Sequence, residues 1–346
     1  MTLPGESPAA LAESLDAAAD LRFMDLCRSP GYPGPDSAWS FHRDLLERVQ
    51  SVGELRFHHG PTGKLRAFAG WFLDPNQATG VPTTHLMAHR LPGDDGALPW
   101  IQDQLRDGLN QATGTPSAMV PINEVAVRRI LLSLGLRIQI VDLAGEVDVA
   151  WQALEARGTP AAPLAETLPA DTRPAELSMR PLQPSDADAI RDLRKRVFGG
   201  QGVGRDGPNG DGRFCWFCAL PTFLDREHAA IYGDTLGPGD RSLLFQGDRL
   251  VGSVMVGFRD TEHHPGGAAS MDLMLDPSLR GLGLVWSFYR HAVGAARAAG
   301  IRWMKGATAQ KPVLHIARVL GRHPTGLTLR KGAPFDEAWF EGWIPM

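Results

Sequence analysis

Arg280-Gly281-Leu282-Gly283-Leu284-Val285 is the stretch whose residue types and spacing point most directly to chemistry, and that chemistry is anion binding. Two glycines stand just ahead of apolar residues at Val285, Phe288, Ala292, Val293, Ala296 and Ala299, a spacing that predicts a helix ending at Gly300. The first N–H groups of a helix have no intrahelical acceptor and sit at the positive end of its dipole. The amides of Leu282, Gly283, Leu284 and Val285 are therefore expected to cradle a phosphate, with Gly281 and Gly283 letting the backbone come close. Two side chains are candidates for proton handling beside that cradle. Asp272 lies on the strand leading into the loop and shares a face with Met274; its carboxylate suits a proton acceptor and equally a turn cap or an arginine's partner. His315, on a later helix, brings an imidazole, a side chain suited to acid–base chemistry, and reads equally as a surface histidine. Glu262, His263 and His264 rank third, because Pro265-Gly266-Gly267 beside them predicts a plain exposed turn.

These residues need elements to position them. Met271 to Leu275 reads as a buried strand ended by Asp276-Pro277, and the glycine turn passes from it into the helix without a spacer. Upstream, Met179-Arg180-Pro181-Leu182 precedes a helix capped by Ser185-Asp186 and running to Phe198. Leu243 to Phe258 predicts a hairpin about Gln246-Gly247-Asp248-Arg249.

In this strand, loop and helix the sequence resembles the GCN5-related N-acetyltransferase (GNAT) superfamily, whose Arg/Gln-x-x-Gly-x-Gly/Ala motif grips the pyrophosphate and pantetheine of acetyl-CoA. The departure is Val285, where the family has Gly or Ala. The resemblance implies an α/β (α+β) fold with a mixed, mostly antiparallel sheet and helices on both faces. It implies an N-acyltransferase that moves an acyl group from a pantetheine thioester directly to the amine of a small molecule or peptide, with no metal. It also supplies an oxyanion donor, a backbone amide near Met274 or Leu275, and a general acid, a Tyr on a later helix. Aligning back from Leu320-Gly321 puts Ala317 at that Tyr and Gln310 at the family's Asn, so a substitute for the acid is needed. Two other readings stay open. One replaces acyl-CoA by an acyl-phosphopantetheine on an acyl carrier protein, in natural-product biosynthesis. The other is a non-catalytic acyl-CoA-binding module, for which Ala317 is the best support.

The 346 residues suit two domains, and the order of elements suggests a duplication. Residues 1–155 read as a faded copy: Glu54 to His59 and Leu65 to Leu73 as a hairpin, Thr84 to His89 as a strand, Trp100 to Ala112 as a helix, Ser117 to Pro121 as a strand, then a helix to Leu134-Gly135. Residues 156–177, rich in Pro, Ala and Thr, read as a linker, and 178–346 as the thioester-binding, catalytic domain. The tandem arrangement resembles mycothiol synthase and its relatives. In the first copy the loop from Arg90 to Pro99 lacks the glycine motif and carries Asp94 and Asp95, which are expected to repel a pyrophosphate.

A net charge of -4 with interspersed signs gives no footprint for nucleic acid, and the basic run Arg191, Arg194, Lys195, Arg196 reads as a solvated helix face. No apolar run reaches the roughly 18 residues that span a bilayer, and the start lacks a secretory pattern, so no membrane partner and a cytoplasmic location are expected. Three cysteines make no disulfide framework, and Cys215-Trp216-Phe217-Cys218 lacks a second ligand pair for zinc. The Gly-rich run from Gly199 to Gly212 fails calcium-loop spacing and reads as a flexible loop. The longer segment Gly199 to Asp240 holds Phe214, Trp216, Phe217, Phe223 and Tyr232, and is expected to form a lid or tunnel for the acceptor or acyl chain, narrowed by Trp286.

Overall fold

The computed structural model describes residues 7–27, 35–74, 82–158, 177–194, 196–197, 239–259, 266–308 and 311–331. They form two compact units, one running to Leu143 and resuming at Pro324, the other running from Ala144 to His323.

Unit 1 begins with α1 (Pro8–Cys27) and α2 (Pro35–Val52), followed by the meander β1 (Gly53–His59), β2 (Leu65–Asp74) and β3 (Thr83–Arg90). Then come α3 (Leu98–Gln111), β4 (Thr115–Pro121), α4 (Val125–Ser133) and β5 (Leu136–Glu146), whose last residues belong to unit 2. Pairing is antiparallel in the meander and parallel between β3 and β4. Leu15, Ala18 and Ala19 of α1 and Leu46 and Val49 of α2 bury against Leu55, Leu65 and Phe68 on one face of the sheet. On the other face α3 approaches through Gly108, where a Cβ would come within 2.9 Å of Leu86 and 3.0 Å of Trp71. Sequence analysis did not anticipate α1, because its buried stripe is built partly from alanines, which carry little periodic signal.

Unit 2 holds α5 (Val147–Ala156), β6 (Leu177–Pro181), α6 (Ala187–Arg194), β7 (Gly239–Gln246), β8 (Arg249–Arg259), β9 (Ala268–Leu275), α7 (Leu284–Ala298), β10 (Trp303–Thr308) and α8 (Lys311–Val319). Its strands run in the order β10-β9-β8-β7-β6, antiparallel except for the parallel pair β10 and β9. Side chains of β8 alternate between two cores: Val254 and Val256 meet Phe288, Ala292, Val293 and Ala296 of α7, while Met255 meets Ile190 and Leu193 of α6. Phe288 is fully buried, worth about 2 kcal/mol or more. Gly252 makes room for it, since a Cβ there would lie 2.6 Å from its ring.

The units exchange segments relative to the chain halves that composition suggests. Helix α5 lies within residues 1–155 except for its last residue, Ala156, yet it buries Val147, Ala150 and Leu154 on α7 in unit 2. The last strand, β11 (His323–Lys331), contributes all but its first residue to unit 1, where Gly326 to Arg330 pair antiparallel with Pro121 to Ser117 of β4. The architecture is mixed α/β, with mostly antiparallel pairing and helices on both faces of each unit's sheet. Among the described residues no helix is long and apolar enough to cross a membrane.

Candidate functional site

Strands β9 and β10 are paired over only three residues: Ala268 with Trp303, Ala269 with Met304 and Ser270 with Lys305. Beyond them, among the described residues, no further β9–β10 pair forms, and the ladder opens along Met271 to Leu275. The N–H of Asp276 donates to the Val251 carbonyl of β8 at 2.8 Å. Because N–H directions alternate along an antiparallel strand, those of Leu275 and Leu273 point the other way, to the open edge. The amide of Met274 faces β8, and its side chain, 1% exposed, is buried with α6. Of the two residues expected to hold an oxyanion, Leu275 thus has its amide at the opening.

The loop that follows is built for exposed amides. Asp276 accepts from the Ser278 N–H at 3.1 Å and its hydroxyl at 2.7 Å, closing a 3-10 turn over Pro277–Leu279. Gly281 and Gly283 then take φ of 86° and 75°, a left-handed conformation that costs other residues about 1–2 kcal/mol. Gly283 is the N-cap of α7, and the first helical N–H to find a backbone acceptor is that of Trp286, on the Gly283 carbonyl at 3.1 Å. Among the described residues the amides of Leu282, Gly283, Leu284 and Val285 have no backbone acceptor. A Cβ on either glycine would meet nothing within 4 Å, so conformation rather than crowding by protein requires glycine, and the space before the loop is open. Val285 is half-buried and packs on the α7 core. Arg280 is exposed, with no side-chain partner among the described residues.

Beneath the loop, Asp276 also accepts from Arg196 Nε and Arg249 Nη2, each at 2.9 Å. Burial opposes its ionisation, but the hydrogen bonds from Ser278 and Arg196 and the charge of Arg249 outweigh that and hold its carboxyl at about 2. Arg196 donates further to the Leu250 carbonyl at 2.6 Å. It is therefore a half-buried clamp rather than part of the solvated face that its charge run suggests. Sequence analysis missed this cluster; Asp276-Pro277-Ser278 signals a cap, but nothing local names the arginines.

Asp272 lies two residues beyond the last β9–β10 pair, opposite Met255 of β8. It is half-buried and engaged by a partner. His315 is on the exposed side of α8, between buried Leu314 and Ile316, and Ala317, at the expected Tyr position, is fully buried. Trp286 lies under the guanidinium of Arg157, 4.0 Å from its ring centroid. Gln310, Glu262, His263, His264, Cys215, Cys218 and the aromatic-rich segment, including Phe214, Trp216, Phe217, Phe223 and Tyr232, lie outside the described residues. Among the described residues no group of three or more His, Cys, Asp or Glu is placed to hold a metal ion.

Unit 1 repeats the opening but fills it. Strands β3 and β4 pair from Thr83 with Thr115 to Leu86 with Ala118 and then part. At the end of β3, Arg90 donates to Glu124, just before α4, at 3.2 Å, and to Asp95 at 2.9 Å. Arg66 holds Asp94 at 2.6 Å, and that bond pulls the Asp94 carboxyl below its usual range. The acidic loop is thus neutralised from within rather than left to repel an anion. The helix beyond has Ala97 as N-cap and Pro99 in its first turn, which removes a donor.

No family model matches the sequence, and no curated protein is significantly similar to it. Among solved structures it is similar to a GCN5-related N-acetyltransferase from Sphaerobacter thermophilus, with 16% identity, coverage of 95% of this chain and 96% of that one, and a TM-score of 0.53. It is also similar to the glucosamine N-acetyltransferase region of a fungal multi-domain β-N-acetylglucosaminidase, at 13% identity and TM-score 0.53, covering 94% of this chain and 37% of the other. A looser likeness, TM-score 0.47 at 14% identity over 94% and 96% of the two chains, is to a tandem GNAT protein from the clavulanic acid biosynthesis pathway. The fold is that of the GNAT acetyltransferases.

Proposed function

We propose that unit 2 is an N-acyltransferase that carries an acyl group from acyl-CoA directly to the amine of a small molecule or peptide. The observation that supports this most is the continuity of the open β9–β10 ladder with the unclaimed amides of Leu282 to Val285. Pantetheine, itself a chain of amides, can pair with β9 as an added strand where the ladder opens, while its pyrophosphate rests at the start of α7. The thioester carbonyl then meets the Leu275 N–H. The amine nitrogen bonds to the carbonyl carbon, the oxyanion is held by that N–H, and the C–S bond breaks to release the thiolate. Asp272 takes the proton of the attacking amine, directly or through water. No tyrosine stands where Ala317 is, so the thiolate takes its proton from water, or from His315 through water. Cys215 and Cys218 carry no role as nucleophiles.

Incubation with acyl-CoA and a panel of amines should release free thiol in step with amide formation. Asp272→Asn should lower kcat about 100-fold or more near neutral pH. A stable acyl-cysteine by mass spectrometry would contradict direct transfer. The buried Ala317 also favours a second reading, a thioester-binding module without turnover. Tight CoA binding with no transfer to any amine would establish it instead.

A further inference from the structure

Helix α5 runs antiparallel to α7, and the contacts follow from end to end. Asp148, near the start of α5, pairs with Arg297 near the end of α7 at 3.2 Å. In the middle, Trp151 carries Arg290 over its ring at 4.7 Å and lies against Gly294, where a Cβ would be 3.3 Å away. At the far end Arg157, the C-cap of α5, is held over the ring of Trp286 at 4.0 Å. Trp286 belongs to the first turn of α7, three residues past the N-cap Gly283. The packing of α5 on α7 therefore places a cation on the first turn of α7, over the residue that follows Val285.

The manner of delivery matters. A cation–π contact with an indole uses no N–H donor in a hydrogen bond, so a guanidinium held this way keeps its donors for gripping a phosphate by two hydrogen bonds. Among the described residues the Arg157 side chain has no hydrogen-bond or ion-pair partner, whereas the neighbouring arginines Arg297 and Arg302 are paired with Asp148 and Glu146. Arg280, which opens the loop, likewise has no side-chain partner among the described residues.

Resting on the acyl-CoA reading above, we infer that Arg157, braced by Trp286, binds the ribose 3′-phosphate of coenzyme A. It thereby selects nucleotide-bearing thioesters over carrier-borne phosphopantetheine, which has a single phosphate and no nucleotide. Arg157 is exposed at the end of a helix, so its replacement leaves the fold intact.

The test is titration calorimetry of the full chain with CoA, 3′-dephospho-CoA and 4′-phosphopantetheine, for the wild type and Arg157→Gln. The wild type should bind CoA about tenfold tighter than 3′-dephospho-CoA. Arg157→Gln should erase that difference, leaving the affinities for dephospho-CoA and phosphopantetheine unchanged, and Arg157→Lys should restore part of it. An equal loss for CoA and dephospho-CoA, or no loss, overturns the assignment. A fall in Tm with unchanged discrimination does so too, and marks Arg157 as a helix cap only. If the wild type binds none of the three ligands, the donor reading itself fails, and the two failures are thereby distinguished.

Discussion

Strand β9 reaches α7 through two left-handed glycines, whereas β3 reaches α3 through one, Gly93, and a proline. Both strands stand beside a ladder that opens after a few pairs. After β9 the amides of the loop stay unclaimed and the carboxylate beneath them, Asp276, is tied to Arg196 and Arg249. After β3 the arginines Arg66 and Arg90 are spent on Asp94, Asp95 and Glu124, so the place is filled by the protein's own charges. On the proposed function, the difference teaches that one architecture can keep or lose an anion site through a handful of loop residues. The strands and helices around the two loops need not change.

The largest effect expected from breaking this contrast is in unit 1. Arg90 and Glu124 have side chains only 9% and 8% exposed, so Glu124→Ala leaves the buried guanidinium with the exposed Asp95 as its remaining ion pair among the described residues and should destabilise unit 1 by about 3 kcal/mol in denaturant unfolding. Donor affinity in unit 2 should not change.

Next in size are two carboxylates, one buried and one half-buried, whose shifts have opposite signs. Asp276 is held at about 2, below its unfolded value, so the native state binds fewer protons. Its contribution, about 2 kcal/mol, is present above roughly pH 4 and lost as pH falls towards 2. Asp142 of β5 is pushed up to about 6 by burial. It binds its proton more tightly when folded, so its ionisation weakens unit 1 above pH 6, and the penalty is relieved as pH falls from 6 to 4. Asp142→Asn should therefore stabilise the protein by about 1–2 kcal/mol at pH 8 and flatten that part of the stability profile, while Asp276→Asn should flatten the acid limb.

The smallest expected effect is the most closely matched. Gly93 and Gly283 have φ of 77° and 75°, and a Cβ at either meets nothing within 4 Å. Gly93→Ala and Gly283→Ala should each cost about 1 kcal/mol of stability from backbone strain alone. Only Gly283→Ala should also weaken donor binding. Equal effects on binding would mean that the two loops do not differ in the way described.

The glycine loop, the hairpin of β7 and β8 and the run of α7 were readable from sequence because each is local: turn residues at fixed offsets and an apolar period. What was not readable is non-local. Arg196 looked solvated because its partner Asp276 lies 80 residues on. The packing of α5 on α7 and of β11 beside β4 depends on which apolar faces meet after the chain has folded, and linker composition carries no trace of it. At the candidate site, the place of Asp272 beside the opening follows from strand period alone. The exposure of His315 does not, because α8 turns Leu314, Ile316 and Ala317 inward and leaves that residue at the surface.

The central claim is that one chain binds one thioester, at the amides that begin α7. Titration calorimetry with a non-hydrolysable acetyl-CoA analogue tests it directly: the wild type should show a single site. Gly283→Asp, which adds a strained residue and a negative charge where the phosphate rests, should weaken that site at least about 100-fold, or about 2.7 kcal/mol. Replacing Asp94 and Asp95 by Asn should leave both stoichiometry and affinity as they were. Two equivalent sites per chain, or a single site indifferent to Gly283→Asp, would contradict the account.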